Sequence, residues 1–355
     1  MMITGAELFV KALKAEQVDT LFAYPGGQAI DLFNALYGEQ DIDVILPRHE
    51  QGLVHAADGY ARSTGKVGVC LVTSGPGATN LVTGIATANY DSVPLVCFTG
   101  QVPTGLIGND AFQEVDIVGI TRSICKYAVT VRKREELAAV IRKAFLISRT
   151  GKPGVVVVDL PKDIQREYGS DDYPEEIEIR GYKPKLSVHP GQLKKALETL
   201  NHAKKPVFLV GGGVNISHAH SEMLKLAEMT GVPVVTTIMG KGAIPTTHDL
   251  YIGNLGIHGS YAANTAISHC DVLFSIGTRF NDRITGKTGH FATHAAIIHI
   301  DIDPASISRN IEVDIPIVAD AKTALLALLE KAQKLDTQEW LEQIRQWKSQ
   351  YPLSM

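Results

Sequence analysis

Short, almost unbroken apolar runs, separated by helical patterns, constrain the fold of this chain more than any other sequence feature. Residues 67–72 (VGVCLV) and 155–160 (VVVVDL) are two such runs. Strands buried on both faces of a parallel sheet have this composition, because helices cover the sheet on both sides. Strands and helices alternate in both halves of the chain. The sequence therefore predicts an α/β protein with two doubly wound parallel-sheet domains.

The domain limits follow from length and from one change in composition. The chain has 355 residues, and this length predicts about two domains. An acidic, proline-containing stretch with little periodicity covers residues 169–190 and is predicted to be a linker. We expect the first domain at 1–168, the second at 191–335, and a terminal helix at 336–355.

The terminal helix carries an apolar stripe that needs a surface to pack against. Asp336 is the predicted N-cap, with Glu339 three residues later. The stripe consists of Trp340, Ile344, Trp347 and Tyr351.

Composition excludes several classes of protein. The net charge is −4 and lysine and arginine do not cluster, which argues against a nucleic-acid partner. No apolar run reaches the length of about 18 residues that a membrane span needs. The start of the chain has the pattern of an amphipathic helix, not of a signal peptide. The cysteines show neither disulfide nor metal-ligand spacing, which favours a reducing cytoplasm; they are Cys70, Cys97, Cys125 and Cys270.

Glu50 lies where a predicted strand at 44–46 passes directly into a helix. Ligands of open α/β sheets bind at the carboxyl ends of strands, so this carboxylate is a candidate functional group. The alternative is that it only stabilises the helix N-terminus. Gly52 and Gly59 are predicted to share one helix face and to allow a close backbone approach there.

Three polar or glycine-rich segments, 24–28, 48–51 and 73–80, each follow a predicted strand of the first domain. Because the carboxyl ends of parallel strands share one edge of a sheet, we expect these segments to lie together. The loop SGPGATN can also be a tight turn that needs glycine for backbone reasons. The sequence contains no G-x-S-x-G elbow and no metal-type His/Cys cluster.

In the second domain, a glycine triplet follows the predicted strand 207–210. Gly211, Gly212 and Gly213 stand where a dinucleotide phosphate meets a helix N-terminus. The fingerprint G-x-G-x-x-G is incomplete, because Ile216 occupies the last glycine position.

Charged residues follow two further strands of the second domain, at 279–283 and 301–303. Cation, donor and acceptor at one sheet edge are what a pyrophosphate and a ribose require. The alternative is a set of surface ion pairs. The G-K-T at 286–288 is not a phosphate loop, since residue 281 is Asn where that motif needs Gly.

Several segments, colinear over nearly the whole chain, resemble the large catalytic subunit of acetohydroxyacid synthase, also called acetolactate synthase. In the first domain they are YPGG (24–27), RHEQGLVHAADGYAR (48–62), TSGPGATN (73–80), GQVPTGLIGNDAFQE (100–114) and DLPKDIQ (159–165). In the second domain they are GGGVN (211–215), GNLGIHG (253–259), GTRFNDRITGK (277–287) and HIDIDPASI (299–307). Many thiamine-diphosphate enzymes share RHEQ with SGPGATN, whereas the combination of AFQE, PKDIQ and RFNDR occurs in a much narrower set of enzymes.

The resemblance implies a chemistry. Glu50 matches the glutamate that hydrogen-bonds N1′ of the thiamine aminopyrimidine in a dry pocket, so that the ring's 4′-nitrogen can deprotonate thiazolium C2. The substrates would be pyruvate, which is decarboxylated, and a second 2-ketoacid, which gives acetolactate or acetohydroxybutyrate. The family also holds FAD, which does no redox work in this reaction.

The resemblance also implies site residues. The catalytic positions would be Gly27, Glu50, Phe112, Gln113 and Lys162. The thiamine diphosphate contacts would be Pro25, Glu50, Thr73, Pro76, Asn80 and Gln113. The FAD contacts would be Lys152, Gly211, Gly212, Gly213, His258, Gly277, Arg279, Asp282, Arg283, Asp301, Asp303 and Asp320.

Three departures from the family pattern stand out. Gln28 stands where Ala is common, and Lys152 stands where the family often has Arg. Family members continue into a third domain whose G-D-G and N-N motifs hold Mg²⁺ and the diphosphate. Neither motif occurs in this chain. We therefore expect half a site, no metal ligand, and no turnover by this chain alone.

The family assembles as homodimers or tetramers, in some cases with a regulatory small subunit, and both remain expectations here. Other interpretations of the function also remain open. A flavin-containing thiamine enzyme of the pyruvate oxidase type is the nearest alternative, whereas glyoxylate carboligases are expected to lack the glutamate. A non-catalytic FAD-binding fragment and a nicotinamide oxidoreductase are the others.

Overall fold

The computed structural model describes residues 1–184 and 187–353. Residues 185 and 186 of the predicted linker, and 354 and 355 of the predicted terminal helix, lie outside the described residues. The chain folds into two compact units, Met1–Lys183 and Pro184–Met355. The division falls inside the predicted linker, and the functional limits of the two domains stay a prediction.

Unit 1 alternates strands with helices, as its apolar runs predict. Its strands are β1 (Met2–Thr4), β2 (Thr20–Ala23), β3 (Asp43–Ile45), β4 (Gly68–Val72), β5 (Leu95–Gln101), β6 (Tyr127–Thr130), β7 (Val155–Pro161) and β8 (Tyr168–Ser170). Its helices are α1 (Gly5–Ala15), α2 (Ile30–Leu36), α3 (Glu50–Thr64), α4 (Pro76–Thr79), α5 (Val82–Tyr90), α6 (Ile117–Thr121), α7 (Leu137–Arg149) and α8 (Lys162–Arg166).

The main sheet of unit 1 has six parallel strands in the order β3-β2-β4-β5-β7-β6. Helices cover both faces, so alternate residues of one strand enter different cores. Val69 and Leu71 of β4 belong to one core, and Cys70 and Val72 belong to the other. The strand order changes direction at β2, which lies between β3 and β4. Such a switch point leaves a crevice at the carboxyl ends of the strands.

The first part of the predicted linker packs on unit 1. The β8 strand pairs antiparallel with β1. Farther along, the Tyr173 hydroxyl donates to Glu16 Oε1 at 2.8 Å, and the Tyr182 hydroxyl donates to the Thr150 carbonyl at 2.8 Å. Two tyrosines thus anchor a segment whose acidic composition alone predicts a solvated connector.

Unit 2 repeats the alternation. Its strands are β9 (Pro206–Val210), β10 (Val234–Thr236), β11 (Tyr251–Asn254), β12 (Val272–Ile276), β13 (Ala296–Asp301) and β14 (Ile315–Val318). Its helices are α9 (Pro190–Asn201), α10 (Gly212–Ile216), α11 (His220–Thr230), α12 (Tyr261–His269), α13 (Asp282–Thr285), α14 (Ala321–Leu329) and α15 (Gln338–Gln350).

The sheet of unit 2 is parallel throughout, in the order β11-β10-β9-β12-β13-β14. Counted along unit 2, this is the doubly wound order 3-2-1-4-5-6, whose switch point lies between the first and the fourth strand. The turns that follow β9 and β12 therefore meet at the crevice. Together with unit 1, this confirms the predicted fold class.

The terminal helix packs as its stripe predicts, but its predicted cap is wrong. Trp340 is buried and its Nε1 donates to the Pro206 carbonyl at 3.2 Å. Trp347 lies edge-on to Trp340. The N-cap is Thr337, not Asp336, and the Thr337 hydroxyl donates to the Gly231 carbonyl at 2.7 Å. That bond ties the start of α15 to the end of α11.

The predicted close approach on α3 is also wrong. A Cβ built at Gly52 or Gly59 would meet no atom within 4 Å. Both glycines are exposed, because α3 buries its other face through Leu53, Val54 and Ala57. In the part of the chain that the structure describes, no helix is both long and apolar enough to cross a membrane.

Candidate active site and cofactor-binding region

The turns that follow β2 and β4 touch at the switch point of unit 1. A Cβ built at Gly26 would lie 2.5 Å from Thr73 Cβ, so only glycine fits there. The Gln28 backbone N–H donates to Thr73 Oγ1 at 3.2 Å. The predicted gathering of the segments at 24–28 and 73–80 is therefore confirmed.

Glu50 joins these turns from the end of β3. It is the first residue of α3, and its Oε2 accepts a hydrogen bond from Asn80 Nδ2 at 2.9 Å. Its Oε1 lies 3.5 Å from a Cβ built at Gly77. The helix is capped instead by His49, whose Nδ1 accepts from the Gln51 N–H at 3.0 Å. The Glu50 carboxylate thus faces the SGPGATN loop rather than capping its own helix.

The expected enclosure of Glu50 is incomplete within the described residues. Glu50 is half-buried, whereas the resemblance implies a dry pocket. The preceding edge strand β3 is exposed as well, including Val44 and Ile45. A strand pattern predicts alternation but cannot say which face remains uncovered at the edge of a sheet.

Lys162 reaches the turn after β2 from the opposite side. It begins α8 directly after β7, and its Nζ donates to the Gly27 carbonyl at 2.6 Å. Gln165 of the same helix donates through Nε2 to the Gln28 carbonyl at 2.8 Å. The structure therefore brings Lys162 and Gly27 together, a pairing that follows from topology and not from spacing along the chain.

Phe112 and Gln113 lie on a loop that rests against the SGPG turn. Gly75 has a φ of +58°, and a Cβ built on it would come 2.6 Å from the Gln113 carbonyl oxygen. Gln113 itself has a φ of +58°. Phe112 is 84% exposed, so its ring is not packed within the described chain.

A buried carboxylate that sequence reasoning missed lies beneath this region. Asp159 of β7 is 1% exposed and accepts hydrogen bonds from the hydroxyl of Thr99 at 2.6 Å and the hydroxyl of Thr130 at 3.1 Å. Gln101 Nε2 donates to it at 3.1 Å and also donates to the Val115 carbonyl at 3.1 Å. Burial raises the pKa of Asp159 to about 6. The sequence feature that could have predicted this buried carboxylate is the aspartate within the otherwise apolar run VVVVDL.

The remaining predicted residues of unit 1 differ in position. Pro76 is the first residue of α4, directly after Gly75. Pro25 is exposed and lies on the turn after β2, next to Gly26. Lys152 precedes β7, at the sheet edge opposite to Glu50, so unit 1 does not bring it to the group around Glu50.

In unit 2 the turns after β9 and β12 are in direct backbone contact. A Cβ built at Gly211 would lie 2.2 Å from the Gly277 carbonyl oxygen, and one built at Gly213 would lie 2.7 Å from Gly277 Cα. The Gly213 N–H donates to that carbonyl at 3.0 Å. Gly277 has a φ of +63°. Glycine is therefore required at all three positions, whereas Gly212 only approaches Met239.

The loop of His258 is tied to the segment after β12. The Ile257 N–H donates to the Arg283 carbonyl at 3.1 Å, and a Cβ built at Gly256 would lie 2.4 Å from the same oxygen. His258, Asp282 and Arg283 are exposed, and Arg279 is half-buried.

Three of the four predicted aspartates of unit 2 each have a structural role. Asp301 Oδ1 accepts from the Asp303 N–H at 2.8 Å. Asp303 Oδ1 accepts from the Ala305 N–H at 3.0 Å, and Asp320 Oδ1 caps α14 by accepting from the Thr323 N–H at 3.0 Å. One oxygen of each carboxylate is thereby used. Within residues 1–184 and 187–353, no group of three or more His, Cys, Asp or Glu side chains is arranged to hold a metal ion.

Comparison with protein families identifies the class. The thiamine pyrophosphate enzyme N-terminal binding domain matches residues 3–120, and the thiamine pyrophosphate enzyme central domain matches residues 193–328. The chain therefore carries two domains of the thiamine pyrophosphate enzymes.

Individual relatives narrow this class. The chain is 52% identical over 350 residues to a probable acetolactate synthase large subunit of Methanocaldococcus jannaschii, covering 97% of this chain and 59% of the relative. It is 48% identical to the acetolactate synthase isozyme 3 large subunit of Escherichia coli (strain K12), covering 98% and 62%. It is 46% identical to the acetolactate synthase large subunit of Corynebacterium glutamicum, covering 99% and 57%.

The chain belongs to the acetolactate synthase large-subunit family. It spans about three fifths of the length of these relatives.

Proposed function

We propose that this chain forms the thiamine-facing and flavin-facing part of an acetolactate synthase, which decarboxylates pyruvate and joins the remaining two carbons to a second 2-ketoacid. The observation that carries the proposal is the position of Glu50. Its carboxylate stands at the switch point of a parallel sheet, held at 2.9 Å by the Asn80 amide and directed at glycine turns. A cofactor ring can approach there, because Gly26, Gly27, Gly75 and Gly77 of these turns have no side chains.

The described residues fit thiamine diphosphate. Thiamine diphosphate bound there would supply a nucleophilic carbon for the carbonyl group of pyruvate and an acceptor for the electron pair that remains when CO₂ leaves. The contribution of this chain is a carboxyl group that holds a proton at the ring nitrogen facing it and takes it back. The Asn80 amide orients the carboxylate for that exchange, and Thr73, Pro25 and Pro76 shape the adjoining turns.

Lys162, Phe112 and Gln113 are proposed to receive the ketoacids. The Lys162 ammonium uses one donor on the Gly27 carbonyl and keeps two for a carboxylate. Phe112 offers an exposed ring that a substrate side chain can cover. Gln113 is held close to Gly75 by its carbonyl, so it is proposed to contact thiamine at this turn.

Unit 2 is proposed to bind FAD. In its support, the strand order has a switch point where Gly211, Gly213 and Gly277 leave room only for backbone. Arg279 and Arg283 offer cations for the pyrophosphate, and Asp301 and Asp303 offer acceptors for ribose. The remaining proposed contacts within unit 2 are Gly212, His258, Asp282 and Asp320. The flavin would be structural and would not transfer electrons in this reaction.

Mg²⁺ does not fit the described residues, since they offer no metal-binding group, and no step is assigned to it. We propose that its ligands belong to the part of the relatives that this chain does not match. A homodimer or tetramer, a regulatory small subunit, and a cytoplasmic location are likewise proposed from the resemblance.

The test joins this chain to the unmatched C-terminal part of the Escherichia coli isozyme 3 large subunit. With thiamine diphosphate, Mg²⁺, FAD and pyruvate, the fusion should form acetolactate, whereas the chain alone should form none. With inorganic phosphate and dioxygen also supplied, hydrogen peroxide and acetyl phosphate in place of acetolactate would favour the pyruvate oxidase type. Acetolactate from the chain alone would contradict the expectation that this chain holds only half of the active site.

A further inference from the structure

A buried histidine and an exposed asparagine bind consecutive carbonyl groups of the segment after β12. His299 of β13 is fully buried, and its Nε2 lies 2.7 Å from the Thr278 carbonyl oxygen. Asn310 donates through Nδ2 to the carbonyls of Arg279 at 3.2 Å and Phe280 at 3.1 Å. We call His299 and Asn310 the carbonyl clamp.

The clamp requires a hydrogen on Nε2 of His299, because a carbonyl only accepts. In the neutral ring this leaves Nδ1 as an acceptor. Nδ1 is buried and has no hydrogen-bond partner among the described groups. The Phe280 ring packs edge-on against the imidazole, with centroids 4.9 Å apart. Burial lowers the pKa of His299 to about 4, which keeps the ring neutral at ordinary pH.

The clamped segment lies between the two parts of the proposed flavin site. Directly before it, Gly277 contacts the glycine turn after β9. Two residues after His299 along β13 comes Asp301, whose Oδ2 lies 3.8 Å from His299 Nε2. In a trans peptide the carbonyl and the following N–H point in opposite directions, so holding three carbonyls also orients three N–H groups.

We infer that His299 and Asn310 are positioning residues, which hold residues 277–283 in the conformation that receives the flavin dinucleotide before the cofactor arrives. The inference rests on the proposed FAD site for its ligand, and on the clamp geometry alone for the ordering of the segment. Neither residue needs to touch the cofactor. Preorganisation of this kind raises affinity by reducing what must be ordered on binding.

The test compares four variants of this chain. His299→Leu removes the donor at similar size, and His299→Gln keeps a donor that can reach the Thr278 carbonyl. Asn310→Ala removes the other half of the clamp from an exposed position, where folding is not at risk. Ser275→Ala is the matched control, because Ser275 is the register neighbour of His299, is buried, and has an unpartnered hydroxyl.

Two readouts separate the inference from the proposed function. FAD affinity, followed by flavin fluorescence, should fall at least about tenfold in His299→Leu and Asn310→Ala, and stay within about threefold in His299→Gln and Ser275→Ala. Amide hydrogen exchange of peptide 277–283 in the cofactor-free chain should accelerate in His299→Leu and Asn310→Ala only.

Unchanged exchange in both His299→Leu and Asn310→Ala would overturn the inference, as would unchanged FAD affinity in these variants when the unsubstituted chain binds FAD. If the unsubstituted chain binds no FAD, the flavin part of the proposed function fails. Hydrogen exchange then still decides whether the clamp orders the segment.

Discussion

The amide of Asn80 donates a 2.9 Å hydrogen bond to the carboxylate of Glu50, from a loop 30 residues farther along the chain. The bond joins the end of α4 to the start of α3. It holds the carboxylate away from its own helix end, which His49 caps instead.

Asn80→Ala should therefore lower the free energy of unfolding by about 1 kcal/mol, since the bond has a charged acceptor but is only partly buried. Urea unfolding measures this. The matched control is Asn109→Ala, which removes an exposed amide bonded to the Gly105 carbonyl and should cost less than about 0.5 kcal/mol. Equal stability of the two variants would show that the Asn80 bond is not formed.

Gly75→Ala should be strongly destabilising. Its φ of +58° is unfavourable for alanine, and the added Cβ would lie 2.6 Å from the Gln113 carbonyl oxygen. We expect a loss of at least about 2 kcal/mol of unfolding free energy. Gly105→Ala, where a Cβ meets nothing within 4 Å, is the control and should change little. A stable Gly75→Ala variant would mean that the loop of Gln113 does not rest on this turn.

Asp159 should make unit 1 less stable as the pH rises. The unfolded carboxyl loses its proton near pH 3.8, whereas burial keeps it protonated to about 6 in the folded protein. Its contribution is therefore fully present below pH 3.8 and is lost as the pH rises through about 6, by up to about 3 kcal/mol.

Asp159→Asn should remove this dependence, so the unfolding free energies of variant and unsubstituted chain should converge or cross between pH 4 and 7. Urea unfolding at several pH values measures the difference. Thr130→Val keeps the carboxyl while removing one donor, so it should keep the dependence. Parallel pH profiles for Asp159→Asn and the unsubstituted chain would contradict the assignment.

Gly59→Ala should stabilise the protein. Gly59 lies inside α3, is exposed, and has open space where a Cβ would be. Alanine has the higher helix propensity, so we expect a gain of about 0.5–1 kcal/mol. A thermal unfolding curve suffices as the measurement. A destabilised Gly59→Ala variant would show that another part of the backbone approaches Gly59 closely, as the seven-residue glycine spacing predicts.

Most of the fold could be predicted because its strands are buried on both faces. Composition alone predicts the strands at 155–160 and Thr20–Ala23. The alternation of such strands with helices then implies parallel sheets. The strand Tyr127–Thr130 is not predicted, since all four residues are only half-buried at the sheet edge and the apolar run within it is only three residues long.

The site was predictable only where residues near in sequence are also near in space. The glycines Gly211 and Gly213 predict a turn, and the sequence around Glu50 predicts a strand-to-helix junction. The contact of Lys162 with Gly27, 135 residues apart, depends on the strand order, which no local pattern contains. His299 lies within HIDIDPASI, one of the segments that resemble the family. Its bond to Thr278 could not be predicted, because it depends on the register of β12 and β13.

The most direct test of the role of Glu50 is the rate of acetolactate formation by the fused polypeptide before and after Glu50→Gln. Glutamine keeps the size and a polar contact with Asn80 but cannot give up and recover a proton. We expect the rate to fall by about 10²-fold or more with the fold intact. A Glu50→Gln fusion that forms acetolactate at the unsubstituted rate would contradict the assignment of Glu50 as the proton-holding group.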